Sequence, residues 1–267
     1  MYPTLLSVAG FGLSSFSIFL ILAWCVFSFV FWKSLRDEGV EEERIFDLTF
    51  YGTLAALVGA RAGFVAAHWE QFVGAFLAVV ALWVTPGLSL LAAVVAGLGV
   101  MILLARRAKV RVGAVLDAFG LALPGALVVG AVGSLLDGSE VGKVTNAWWA
   151  IRYVGLPDGR HPYQIYEIVL LLVVLVAVGW MTERARQKKW ALGSVGVGFF
   201  LLWALSTFSL EFLKDFGVYW YSLSANQWAA LILFSAAGAA WYVYAGGKFV
   251  IRNILISFYA KFPKRRS

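Results

Sequence analysis

Long apolar runs separated by short polar clusters set the pattern of this chain. Seven runs approach the roughly 20 apolar residues that a helix needs to cross a bilayer. They lie near residues 14–32, 46–68, 88–105, 114–135, 165–182, 194–213 and 227–246. An eighth run, FVGAFLAVVALWV at 72–84, has 13 residues and predicts an interfacial or re-entrant segment instead. The expected fold is therefore an all-α integral membrane protein with seven transmembrane helices, one membrane domain over residues 1–267, and a small extracytoplasmic element at 137–163. Neither a repeat of solenoid length nor a pair of matching halves is visible.

The polar clusters between the runs orient the chain. Segments 33–45, 106–112, 183–193 and 247–267 hold 17 Lys and Arg residues, whereas 1–13, 69–86, 137–163 and 214–226 hold 4. Basic residues collect on the cytoplasmic side. The N-terminus is thus expected outside and the C-terminus in the cytoplasm, with 247–267 as a basic anchor. The formal net charge of +7 is explained by topology and contact with anionic lipid, without nucleic acid. Composition agrees: 61% of residues are hydrophobic and 14% charged, against roughly 25% charged in soluble domains. Twelve Trp and ten Tyr suit interfacial belts. The first run lacks a signal-peptide cleavage site and reads as a retained helix. Cys25, the single cysteine, excludes a disulfide within the chain, and nothing in the sequence points to a metal or another cofactor.

Charges within spans are costly and usually paired or functional. By depth, Arg61, His68, Asp137, His161, Glu167 and Glu211 all fall in the outer half of the expected bilayer. Arg61 and His68 are seven residues apart and share a helix face. Asp47 and Asp117, in the inner half, read as helix caps or dipole partners. An embedded Arg among outer-leaflet polar groups suits a phospholipid headgroup, because guanidinium presents a fork of donors to phosphate. Alternatively, Arg61 pairs with Glu167 or Glu211 and holds helices together. The small-xxx-small pattern of Gly59 and Gly63 predicts close helix packing. His161 precedes Pro162, which suits the first turn of the fifth span. Gln164 and Glu167 follow one turn apart.

HPYQIYE at 161–167 is similar to the His-Pro-Ser-Gln-Leu-Tyr-Glu motif of the prolipoprotein diacylglyceryl transferases. GARAGF at 59–64 resembles that family's Gly-Gly/Ala-Arg-x-Gly-Tyr motif. Residues 86–109 lie without a gap on its Gly-Gly-x-Ser-Phe-His-Gly-Gly segment and the basic loop after it. GAVGSLLDGSEVGK at 130–143 follows the frame of its Gly-Arg-x-Gly-Asn-Phe-Ile-Asn-Gly-Glu signature. LEFLKD at 210–215 and SANQW at 224–228 match its last two spans.

The resemblance implies transfer of a diacylglyceryl group from a phosphatidylglycerol-like phospholipid to the Cys thiol of a lipobox-containing preprotein, in the plasma or inner membrane. It implies substrate-binding roles for Arg61, Gly142, Gln164, Tyr166 and Glu167, and catalytic roles for His161 and Glu211; His68 lies outside the family motifs, and under this reading His161 or His68 is the only imidazole available as the catalytic base. Several family positions are replaced. The His of the Ser-Phe-His-Gly-Gly segment falls on Leu91, the signature Arg on Ala131, its Asn on Ser134, its Glu on Ser139, and the late Arg on Thr207. The first-span Tyr falls on Phe16. These replacements keep a second reading open, a non-catalytic relative that binds lipid or protein. A transporter or channel would need a polar path across the inner half of the bilayer, and the middle of that half holds no ionisable residue.

Overall fold

The structure is a computed structural model. It describes residues 4–8, 11–74, 76–82, 84–138, 140–153, 155–215 and 219–244. Seven long helices follow one another: α1 (Ser15–Asp37), α2 (Glu42–Ala67), α3 (Leu90–Arg107), α4 (Val112–Asp137), α5 (Tyr163–Lys188), α6 (Ser194–Leu210) and α7 (Ala225–Tyr244). Among the described residues there are three two-stranded antiparallel hairpins: β1 (Thr4–Val8) with β2 (Phe11–Ser14) before α1, β3 (Ile151–Arg152) with β4 (Gly159–Arg160) between α4 and α5, and β5 (Tyr219–Trp220) with β6 (Leu223–Ser224) between α6 and α7.

Six described helices are long and apolar enough to cross a membrane, so this is a multi-pass membrane protein. The expected seventh span is present as helix α7 but is not among the six. Asn226 and Gln227 at its head and Trp241 and Tyr242 at its foot shorten its apolar middle. Residues 245–246 of that run and the basic tail lie outside the described residues.

The helix starts follow their local sequence. Ser14 Oγ accepts from Ser17 N–H at the start of α1, and Ser89 Oγ from Ala92 N–H at the start of α3. Such caps satisfy donors that the helix itself cannot. Pro162 stands immediately before α5, where its missing N–H costs nothing. α4 ends at Gly138, whose φ of 73° is left-handed.

α4 and α6 are the most buried of the six apolar helices, and the others face outward with apolar surface. α1 packs along α4, α2 along α3, and α6 along α7; α4 also meets α5 and α6. Gly59 and Gly63 act as expected. A side chain on either would collide with Ala96 or Ala92 of α3, so the two backbones close on each other. Asp117 caps a helix, but not its own. Its carboxylate, inside α4, accepts from the N–H groups of Gly193 and Gly196, both at 2.8 Å, at the start of α6. A carboxylate at a helix N-terminus meets both the unpaired N–H groups and the positive end of the dipole. Asp47 is exposed.

The Asp117→Ala variant leaves these two amides unpartnered, so its thermal unfolding in detergent should show a loss of about 0.5–2 kcal/mol. Asp117→Asn should lose less, because it keeps an acceptor.

Candidate functional site

The end of the bundle where α2, α4 and α6 finish and α3, α5 and α7 begin carries the polar clusters, and is called here the head end. Residues 140–145 form its organising segment, with isolated bridges from Gly142 to Lys214 and from Val144 to Arg160. On one side they pair with the segment after α6: Lys143 N–H donates to Leu213 O (2.8 Å) and Asp215 N–H to Val141 O (2.9 Å). On the other they pair with the start of α5: His161 N–H donates to Lys143 O (3.0 Å) and Thr145 N–H to Gly159 O (2.9 Å). Gly142 is where these segments are tightest, and a side chain there would run into the His161 carbonyl. Buried Arg160 donates to Asp215 and, at 3.3 Å, to Gly142 O.

A cavity of about 350 Å³ opens beneath this ladder, between the ends of α2 and α6 and the beginnings of α3, α5 and α7. Its volume falls in the range of small-ligand sites, roughly 300–1,000 Å³. Its apolar lining includes Leu88, Leu90, Leu91, Leu170, Leu171 and Trp203. Its polar lining includes His68, Glu140, Glu167, Glu211, Lys214 and Asn226. Glu211 is buried, and its Oε1 accepts from Ser224 Oγ (3.1 Å) and Asn226 Nδ2 (3.0 Å). Lys214 Nζ donates to Glu140 Oε1 at 2.7 Å and lies 5.3 Å from the Tyr163 ring centre. Burial works against the Lys214 ammonium, but the carboxylates of Glu140, Glu211 and Glu167 outweigh it and raise its pKa.

His68 ends α2 and stacks on Phe64 with ring centres 4.3 Å apart. Its Nδ1 is 3.0 Å from the Phe64 carbonyl. A carbonyl only accepts, so Nδ1 donates this bond and Nε2 is the ring nitrogen left to face a ligand.

Arg61 is buried but does not line the cavity. It does not pair with Glu167 or Glu211, contrary to the alternative read from sequence. Nε donates to Val79 O (2.7 Å), Nη1 to Thr85 O (2.8 Å) and Gly87 O (3.1 Å), and Nη2 to Ala78 O (2.6 Å) and Thr85 Oγ1 (3.0 Å). These acceptors belong to the short apolar run expected to be interfacial or re-entrant and to the residues just after it. Among its described residues the run contains a 3₁₀ turn at Phe76–Val79 and no α-helix or strand. Its free carbonyls are what the guanidinium satisfies. The Phe64 and Phe72 rings flank Arg61 at 5.6 and 5.2 Å.

The residues singled out from sequence therefore separate into two groups. His68, Glu167 and Glu211 face the cavity. Gly142, His161, Gln164 and Tyr166 build the head. Gln164 is fully buried; its Oε1 accepts from Tyr153 Oη (2.8 Å) and its Nε2 donates to Glu140 O. His161 Nδ1 lies 3.2 Å from Tyr166 Oη, which accepts from Trp149 Nε1 at 2.6 Å. Of the replaced positions, Leu91 and Thr207 line the cavity, whereas Ala131 and Ser134 are buried in α4 away from it. Ser139 lies outside the described residues. Sequence reading missed Glu140, Arg160 and Asp215. Opposite charges flanking the HPYQIYE segment and the end of LEFLKD were the available signal.

The family model for prolipoprotein diacylglyceryl transferase matches residues 3–244. Among similar proteins, the phosphatidylglycerol–prolipoprotein diacylglyceryl transferase of Chromohalobacter salexigens is 32% identical over 179 residues, 66% of this chain and 65% of that protein. Its namesake in Aeromonas hydrophila is 28% identical over 75% of this chain and 76% of its own length. The Methylibium petroleiphilum protein of the same name is 27% identical over 90% and 93%.

Arg61→Lys keeps the charge but cannot reach both carbonyl pairs. Hydrogen–deuterium exchange should show faster exchange across residues 76–87 in this variant, with α5 and α6 unaffected. Unchanged protection there would mean that Arg61 does not hold the segment.

Proposed function

The chain belongs to the prolipoprotein diacylglyceryl transferase family, and on that premise we propose that it takes a membrane phospholipid into the head-end cavity and transfers the diacylglyceryl group to a lipobox Cys. The observation that carries this reading is a head-end cavity whose lining joins several leucines to a cluster of charged side chains, the two kinds of surface that an acyl-glyceryl group and its polar headgroup need. The seven helices span the membrane with the N-terminus outside, the head end in the outer leaflet of the plasma or inner membrane, and the basic loops in the cytoplasm.

In the transfer, the Cys sulfur forms a bond to the terminal glyceryl carbon, the carbon–oxygen bond to phosphate breaks, and the headgroup phosphate leaves. The thiol proton must go to a base. His68 Nε2 takes it, since His68 supplies the imidazole of the lining and its Nδ1 is turned to the Phe64 carbonyl. Glu211, held by Ser224 and Asn226, and Glu167 orient the polar part of the substrate. Arg61 acts indirectly, by fixing the segment that precedes Leu88 and Leu90. His161 and Tyr166 position the head through their contact with each other and with Trp149.

The lining also supports a second reading, a relative that binds lipid or protein without catalysis. Leu91 and Thr207 supply neither imidazole nor guanidinium where the family pattern has both. Loss of one donor to developing charge costs roughly a hundred- to a thousandfold in rate.

Vesicles of mixed phosphatidylglycerol and phosphatidylethanolamine, incubated with the protein and a lipobox peptide, separate the two readings by mass spectrometry. A diacylglyceryl mass on the peptide Cys is expected, with the rate falling about a hundredfold or more in His68→Gln. Unmodified peptide, beside a relative that modifies it under the same conditions, rejects the transferase reading.

A further inference from the structure

The transfer releases a phosphate, and the charge that grows on it needs a cation. The family pattern supplies one through the Arg that falls here on Thr207, an uncharged residue of the cavity lining. Among the described residues that lining holds one Lys and no Arg. Arg61 and Arg160, the two buried guanidiniums among those residues, are committed elsewhere, to the carbonyls of the 78–87 segment and to Asp215. The cation that faces the cavity is Lys214.

Its place follows from the helix face to which Thr207 belongs. Trp203, Ser206, Thr207, Leu210, Glu211 and Lys214 line the cavity, at the i, i+3, i+4, i+7, i+8 recurrence of a single face. The 3₁₀ turn Glu211–Leu213 continues α6, so Lys214 stands about two turns past Thr207, toward the head. The backbone is held on both sides of it, by Lys143 N–H on Leu213 O and Asp215 N–H on Val141 O. The ammonium is held as well. Glu140 Oε1 accepts from Nζ at 2.7 Å, and the Tyr163 ring centre lies 5.3 Å away. Glu140 and Tyr163 themselves line the cavity, which fixes the ammonium at its wall. Tyr163 stands where the family's His-Pro-Ser-Gln-Leu-Tyr-Glu motif has Ser, and the exchange supplies the ring on which the cation rests. An ammonium has three donors, and Glu140 takes one of them. The surrounding carboxylates keep Lys214 charged.

Resting on the lipid reading of this cavity, we infer that Lys214 is the residue that binds the lipid's phosphate, with Glu140 and Tyr163 positioning it. As sulfur bonds to the glyceryl carbon, the carbon–oxygen bond breaks with its electron pair on the phosphate oxygen. The thiol proton goes to His68, and Lys214 donates to the phosphate as it takes on that charge.

Native mass spectrometry of the full chain in detergent, offered equimolar phosphatidylglycerol and diacylglycerol of identical acyl chains, isolates the phosphate. The native chain should retain phosphatidylglycerol in excess. Lys214→Gln should lower that excess about tenfold or more, and Lys214→Arg should keep it, since guanidinium also donates to phosphate. Thr207→Arg in the Lys214→Gln background should restore it by returning a cation to the same face. Thr207→Arg alone should raise it, which checks the assignment even if Lys214→Gln fails to fold. Inorganic phosphate should not displace the lipid. With the lipobox peptide, Lys214→Gln should transfer about a hundredfold more slowly. No excess in the native chain, an unchanged one in Lys214→Gln or a lost one in Lys214→Arg overturns the assignment, and a native chain that still modifies the peptide leaves the transferase reading standing. Displacement by inorganic phosphate overturns the lipid as the source of the phosphate. Retention that depends on Lys214 without modification of the peptide supports the assignment and rejects the transferase reading. Retention of neither lipid rejects both.

Discussion

Irregular backbone packed against the protein survives only where its carbonyls find donors. Arg61 meets that requirement for the segment before α3. Its donors reach four carbonyls and one hydroxyl of residues 78–87. Hydrogen bonds to a charged group contribute about 1.5–3 kcal/mol each, and the cation is in turn neutralised by several oriented carbonyl dipoles. The segment thus needs the Arg, and the buried Arg needs the segment. Leu88 and Leu90 follow directly in sequence and form part of the cavity wall, so the wall inherits its position from this mutual satisfaction.

Around the cavity, the head joins parts of the chain that are distant in sequence. Residues 140–145 bridge the end of α6 and the start of α5, and Glu140, from the same segment, engages Lys214 through its side chain and Gln164 through its carbonyl. The HPYQIYE stretch consequently splits its labour. Its His, Gln and second Tyr hold the ladder together, and its Glu turns into the cavity. A single turn of α5 separates a positioning residue from one that can touch a ligand.

Much of this architecture was legible in the sequence because bilayer thickness sets a length filter that local residues cannot evade. The runs near 14–32 and 114–135 became α1 and α4 with small shifts of boundary. α7 shows the limit of that filter, since polar residues at its head belong to the Glu211 network and dilute its apolar pattern. The gathering of His68, Glu167 and Glu211 at one end followed from depth alone. What depth could not give was the direction of a side chain. Arg61 and His68 share a helix face by spacing, yet one turns to carbonyls behind the wall and the other reaches the lining. The pairing of Lys214 with Glu140 was hidden because the two are 74 residues apart and meet only through the ladder.

The tight seam between α2 and α3 has a mechanical meaning. With glycine faces pressed onto Ala92 and Ala96, the two helices have little freedom to slide past each other, and they behave as one plank. Phe64 and His68 sit at the end of one board, and Leu91 at the beginning of the other. A tilt of this plank against α5 and α6 would widen or narrow the cavity mouth while moving imidazole and leucine together. Aperture and wall chemistry are therefore uncoupled: the opening can change size without rearranging what the guest touches on that side.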